Sequence, residues 1–199
     1  MIDWLLQQDT RLFLYLNGLH NEFFDGIAWW VSGKISWWPF YLVILGYLGW
    51  RKGWQLASML FFVVLSITVT DQTSVHLFKY LFQRLRPCHE PALEGLVHLV
   101  NNKCGGQFGF ISSHAANSFG VACLLISWLR QRWFALVMLT WALLVSYSRI
   151  YLGVHYPGDV IAGALWGSGC GWLVYRLFIQ IHRSLPGNWW INRAKRESR

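Results

Sequence analysis

The chain has 199 residues, of which 55% are hydrophobic and only 13% charged, with 14 tryptophans and a formal net charge of +8. A soluble domain is about a quarter charged, so lipid must cover part of this surface, and the length leaves room for one domain but not for two sizeable cores. The positive balance does not point to nucleic acid, because the basic residues sit at helix ends and in three short segments, not along one solvated face.

The first residues lack the uninterrupted apolar run of a secretory signal, since Asp3, Gln7, Gln8, Asp9 and Arg11 break it. Trp4, Leu5, Leu12, Phe13, Leu14 and Leu16 between those polar residues suit an interfacial helix. Asn21–Ser32 carries Glu22 and Asp25; it either extends the first span, with Gly33-Lys34 and Pro39 as breaks, or makes a further partial crossing. Five charge-free stretches follow, at 35–50, 53–70, 115–129, 133–148 and 160–175. Each is near or slightly below the roughly 18–20 residues that cross the hydrocarbon core. Trp37, Trp38, Trp50, Trp54, Trp128 and Trp133 near their ends fit aromatic belts.

The expected fold is an all-α integral membrane protein: a bundle of five transmembrane helices, six being the alternative, plus an N-terminal interfacial helix. It forms one membrane-embedded domain, with an amphipathic region at 1–34, a transmembrane core at 35–182 and a basic cytoplasmic tail at 183–199. Arg51, Lys52, Arg130, Arg132, Arg183, Arg193, Lys195, Arg196 and Arg199 fall in alternate connections and the tail. The positive-inside rule makes these cytoplasmic, which sends the three motif segments to the opposite face. Gly163, Gly167 and Gly171 recur every fourth residue in the last stretch and predict a face for close helix packing.

The first motif segment runs from Lys79 to Pro87. Lys79 and Arg86 are seven residues apart, so on one helix ended by Pro87 they share a face, offering a point charge and a planar fork to phosphoryl oxygens. Arg84 is offset from that face and is expected to meet solvent or lipid headgroups. The second segment is Ser112-Ser113-His114, where Ser112 reads as a helix N-cap whose following N–H groups face an anion. His114 there is placed to protonate a leaving oxygen or simply to cap the helix. Gly105, Gly106 and Gly109 upstream predict a flexible approach. The third segment, Ser148 to Asp159, places His155 just ahead of Pro157 and Asp159 in the first helical turn. A carboxylate bonded to one imidazole nitrogen leaves the other as nucleophile, while Arg149 neutralises phosphate charge. Taken alone, this last segment also reads as an ordinary turn into a helix.

Jointly these segments resemble the type 2 phosphatidic acid phosphatase family, which includes vanadium haloperoxidases and bacterial acid phosphatases. The family pattern is Lys, six residues, Arg-Pro; then Pro-Ser-Gly-His; then Ser-Arg, five residues, His, three residues, Asp. Lys79–Pro87 and Ser148–Asp159 match throughout, whereas Ile111 stands for the proline and Ser113 for the glycine of the second segment. The resemblance implies that His155 attacks phosphorus, Asp159 orients it, and His114 protonates the leaving group. It gives Lys79, Arg86, Ser112, Ser113 and Arg149 to the phosphoryl oxygens, with no metal or other cofactor. The implied substrate is a membrane lipid phosphate: an isoprenyl diphosphate, phosphatidylglycerophosphate, phosphatidate or a lipid A-type phosphate. The implied place is the outer face of a bacterial inner membrane. A lipid-to-lipid phosphotransferase with the same site and a non-enzymatic anion transporter are the alternatives. An oxidising compartment permits a Cys88–Cys104 disulfide, and Cys123 and Cys170 read as small buried residues within spans. A zinc site using His89 or His98 with the outer cysteines lacks compact ligand spacing.

Overall fold

The structure, a computed structural model, describes residues 2–184; the tail arginines Arg193, Arg196 and Arg199, Lys195 and the Trp54 side chain lie outside the described residues. Among the described residues the regular structure is helical; an irregular connection with short 3-10 turns runs from Phe82 to Ser113, and one isolated bridge pairs Leu85 with Phe108. In chain order the helices are α1 (Ile2–Gly18), α2 (Glu22–Ser32), α3 (Trp38–Lys52), α4 (Leu56–Phe82), α5 (Ser113–Leu129), α6 (Arg132–Tyr151) and α7 (Pro157–Ser184). Each charge-free stretch lies mainly within one of α3 to α7. By length and composition α4 and α6 qualify as membrane-crossing helices, and α5 is a shorter apolar helix. Large apolar side chains point outward along the bundle, including Phe61, Leu136, Leu165 at 71% exposure and Leu173, as expected where lipid replaces water.

Asn21–Ser32 does not extend the first span but forms a separate short helix, α2. Asn21 caps α2 by accepting the Phe24 N–H at 2.9 Å, and Gly33 ends it. Eleven residues at 1.5 Å rise span only about 16 Å, roughly half the hydrocarbon thickness. Pro39 starts α3 near its N-terminus, where its missing N–H costs nothing, and so does not break it.

The two ends of the bundle differ in chemistry. At one end Tyr47 of α3 hydrogen-bonds Gln131, Arg130 donates to the Tyr175 hydroxyl at 3.1 Å, and Ser58 meets His182 at 3.2 Å. The basic connections Arg51-Lys52 and Arg130–Arg132 therefore cluster with the C-terminal half of α7, while the three motif segments gather at the other end. Between the ends a core of Leu48, Met59, Leu125, Phe134, Met138 and Trp141 joins α3 to α6.

The glycine face of α7 packs as its spacing predicts. A Cβ on Gly163 would come within 2.6 Å of the Ser112 carbonyl, and Cβ atoms on Gly167 and Gly171 would collide with the Ala116 and Gly120 carbonyls. Small residues on both helices thus let α5 and α7 touch backbone to backbone. This contact brings the second motif onto the third: the Ser112 N–H donates to the Asp159 carbonyl at 3.0 Å. The α1 helix lies across the motif end. Its Phe13 is fully buried against Tyr156, and Asn17 bonds the His98 and Tyr151 carbonyls at 3.1 and 2.8 Å.

Candidate active site

The first motif segment departs from a single helix. The last turns of α4 widen to π geometry over Thr73–Lys79, and α4 ends at Phe82 because Gln83 turns left-handed at φ 46°. Beyond it the chain is extended: the Arg86 N–H donates to the Gln107 carbonyl at 3.1 Å and the Gly109 N–H to the Arg84 carbonyl at 2.8 Å. Lys79 and Arg86 hence reach the site from a helix end and an extended segment, not from one helix face. Arg86 is nearly buried, its guanidinium held by the Phe108 and Cys104 carbonyls at 3.3 Å each.

The outer loop that supplies those carbonyls is closed by a Cys88–Cys104 disulfide with Cα atoms 6.0 Å apart. Cys88, His89 and Cys104 place their ligand-type atoms within 4.8 Å of one another, a compactness the spacing along the chain hides. Both sulfurs are committed to the disulfide, and His89 bonds the Gly105 carbonyl at 3.1 Å. Cys170 is buried and Cys123 is half-buried. Gly105 and Gly109 serve close approach, not flexibility, whereas a Cβ at Gly106 would meet open space. A Cβ at Gly109 would stand 3.0 Å from Asp159 Oδ2 and 3.2 Å from Arg86 Cγ. Gly105, at φ +97°, lies against the Arg86 guanidinium.

Ser112 caps α5, its hydroxyl accepting the Ala115 N–H at 3.5 Å while its own N–H is committed to Asp159. Ser113 opens the helix without a positive φ, so replacing glycine there imposes no forbidden backbone conformation. Its hydroxyl accepts from Lys79 Nζ at 3.0 Å and meets Ser74 Oγ at 2.8 Å, which fixes the ammonium beside the helix N-terminus. His114 lines an apolar cleft of about 570 Å3 between α3, α4, α5 and α6, with Lys34, Asp71 and Asn117 at the same polar end. The cleft continues past Val121 to Leu125, twelve residues from Ser113, or about 18 Å along α5.

His155 and Asp159 are almost wholly enclosed, at 1% and 0% exposure. Their facing atoms, Nδ1 and Oδ2, stand 3.5 Å apart: an ion-pair distance, too long for a formed hydrogen bond. Asp159 Oδ2 also accepts the Tyr156 N–H at 3.1 Å, as a carboxylate in a first helical turn does. Burial above all, then the positive charges of Arg86, Arg149 and Lys79, hold the His155 imidazole well below its ordinary 6.5, with the Gly109 backbone opposing them. His155 is thus a neutral base facing three cations. Arg149 is pinned from the far side by the Ser32 hydroxyl of α2, and its Nε is buried without a partner.

Three groups escaped the sequence reading. Arg84, partly buried, spends its guanidinium inside the protein: it donates to Asp159 Oδ1 at 2.9 Å and to Asp9 Oδ2 at 2.7 Å, and lies 4.0 Å over the Tyr156 ring. Asp9, on α1, also accepts the Gly158 N–H at 2.7 Å. Asn117 bonds Asp71 at 3.3 Å and Thr70 at 2.5 Å within the polar end of the cleft. Only Arg84 carried a usable signal, since in an extended segment residues 84 and 86 share a side.

Buried histidine, carboxylate and cations drawn from segments in this order are the arrangement of one family, and the chain matches it across residues 52–183. It belongs to the PAP2 superfamily. It is 44% identical over 177 residues to a lipid A 4'-phosphatase of Bacteroides thetaiotaomicron, covering 88% of this chain and 79% of that protein. It is 33% identical over 179 residues to a lipid A 4'-phosphatase of Porphyromonas gingivalis, covering 89% and 76%. The fold is similar, at a TM-score of 0.67 and 23% identity, to a transmembrane PAP2-type phosphatidylglycerolphosphate phosphatase from Bacillus subtilis, over 91% of this chain and 89% of that one. At that identity the solved structure speaks for the fold alone. With lipid phosphatases as relatives and large apolar side chains exposed along the helices, it is an integral membrane protein.

Proposed function

We propose that this chain is a lipid phosphate phosphatase that removes a phosphate from a lipid A-type glycolipid through a phosphohistidine at His155. The observation that carries the reading is the enclosed His155–Asp159 pair, 3.5 Å apart, together with the long apolar cleft that His114 lines. In the first step the His155 Nε2 lone pair attacks phosphorus. The bond from phosphorus to the lipid oxygen breaks, and His114 gives that oxygen a proton. Water then attacks the phosphohistidine, His114 takes its proton, and inorganic phosphate leaves with His155 restored. Lys79, Arg86, Arg149 and the N–H groups opening α5 stabilise the charge that builds on the phosphoryl oxygens. The apolar cleft starting at His114 takes hydrocarbon from the leaving lipid.

Five membrane crossings, α3 to α7, with α1 in the interface form a single domain in this reading. The basic connections at the far end support a cytoplasmic location for that end and, with it, a site facing the outer side. The relatives' names favour a lipid A-type substrate over an isoprenyl diphosphate, phosphatidylglycerophosphate or phosphatidate. The test is phosphate release by purified protein from a panel of these lipids in a metal chelator, with His155→Ala alongside. Release from the glycolipid that His155→Ala abolishes, in a variant that still folds, supports the reading. Transfer of the phosphate to a second lipid without release, or wild-type activity in His155→Ala, overturns it.

A further inference from the structure

We infer that Asp9 and Arg84 form a clamp that positions the Asp159 carboxylate behind His155, so that the N-terminal helix completes the active site. The clamp has defined geometry at every joint. Arg84 uses one Nη for Asp159 Oδ1 at 2.9 Å and the other for Asp9 Oδ2 at 2.7 Å. Asp9 Oδ1 in turn accepts the Gly158 N–H at 2.7 Å, so α1 is tied both to the arginine and to the first turn of α7. The Tyr156 ring, 4.0 Å away, supports the guanidinium from one face. Asp159 is then fixed on both oxygens: Oδ1 by Arg84, and Oδ2 by the Tyr156 N–H at 3.1 Å. That leaves Oδ2 aimed at His155 Nδ1 across 3.5 Å, the short move that hydrogen bonding requires.

Arg84 reaches the site through Asp159 Oδ1, and Asp9 through Arg84 and Gly158, so both act through Asp159 and are positioning residues. The chemistry calls for arginine. Its planar fork serves two carboxylates at once, whereas a lysine ammonium is a single point charge. An arginine between two carboxylates also keeps Asp159 from facing an unbalanced set of charges within the enclosed site. The family match begins at residue 52, so Asp9 lies outside the matched region.

The inference rests on the phosphatase reading, and its test separates the two. Arg84→Gln, Arg84→Lys, Asp9→Asn and the Arg84→Gln/Asp9→Asn double variant are compared for kcat, KM, thermal unfolding and vanadate affinity. Arg84→Gln is expected to lower kcat by about 10- to 100-fold, the scale on which groups that orient a functional histidine act, with KM little changed. Arg84→Lys recovers part of the loss. Because Asp9 works through Arg84, the double variant is no slower than Arg84→Gln alone. Unchanged kcat with a lowered unfolding temperature reduces the clamp to a structural staple, and kcat losses that multiply in the double variant overturn it as well. Should Arg84→Gln not fold, Asp9→Asn carries the same comparison, since asparagine keeps an acceptor for Gly158. Vanadate affinity, measured by calorimetry without lipid, reads the positioning apart from turnover. It weakens in Arg84→Gln if the clamp is right and stays unchanged if it is wrong, whatever lipid the protein hydrolyses.

Discussion

Gly163→Ala is a one-carbon change outside the motif segments whose effect on the site follows from a distance. The added Cβ would stand 2.6 Å from the Ser112 carbonyl oxygen and 3.2 Å from the Ala115 Cβ. Ordinary contact begins near 3.4 Å, so α5 and α7 must part by about 0.8 Å at this point. The Ser112 N–H to Asp159 carbonyl bond, now 3.0 Å, lies beside the wedge and would open beyond hydrogen-bonding range. Ser113 and His114 would then shift relative to His155 and Asp159. A misplacement near 1 Å costs on the order of 100-fold in rate, so kcat should fall between about 10- and 100-fold. Overpacking should also cost about 1–3 kcal/mol of stability. Phosphate release and thermal unfolding measure both, with Gly169→Ala as the control, since that position on α7 faces open space and alanine favours the helix. A Gly163→Ala protein with wild-type kcat would refute the idea that the glycine face sets the spacing of the two motifs.

Because His155 is held well below 6.5, its protonation should not limit kcat/KM as pH falls through 6.5, and a limb there that shifts with variants at Arg86 would contradict this. The same depression makes stability fall as pH drops below 6.5, where the unfolded chain takes up a proton that folded His155 refuses; unfolding measured across that range checks it. Replacing Cys88 and Cys104 by serine should cost about 3 kcal/mol, the entropy of a loop closed over 16 residues, and should lower kcat because Arg86 loses its hold on the Cys104 carbonyl. Ser113→Gly should keep substantial activity while weakening phosphate binding, because it removes the hydroxyl that anchors Lys79; KM for the lipid phosphate reads the difference.

The third motif was the most legible because its chemistry is local. His155, Pro157 and Asp159 sit within one turn entering α7, and helix-start rules place them. The glycine spacing of α7 was equally readable, since a four-residue period of small residues has one efficient use. The first motif was misread at a specific place. Leu81 to Leu85 has no breaker until Pro87, so a continuing helix was the natural expectation, yet Gln83 turns left-handed and the backbone pairs with residues 107–109 instead. That error hid the period-two relation of Arg84 to Arg86. Asp9 was beyond reach for another reason: 75 residues separate it from Arg84, and an acidic residue in an amphipathic helix looks solvated until its neighbours are known. The N-terminal region shows the same limit, as apolar content alone did not reveal that α2 is a separate short helix.

The central claim is that phosphate passes through His155. Acid-free quenching of the purified protein mixed with a lipid A-type phosphate, followed by mass spectrometry of its peptides, tests it directly. Transient phosphate is expected on His155, longer-lived when His114 is replaced by alanine because water then lacks its base. Turnover with His155 unmodified at every time point, or phosphate on a different residue, would contradict it.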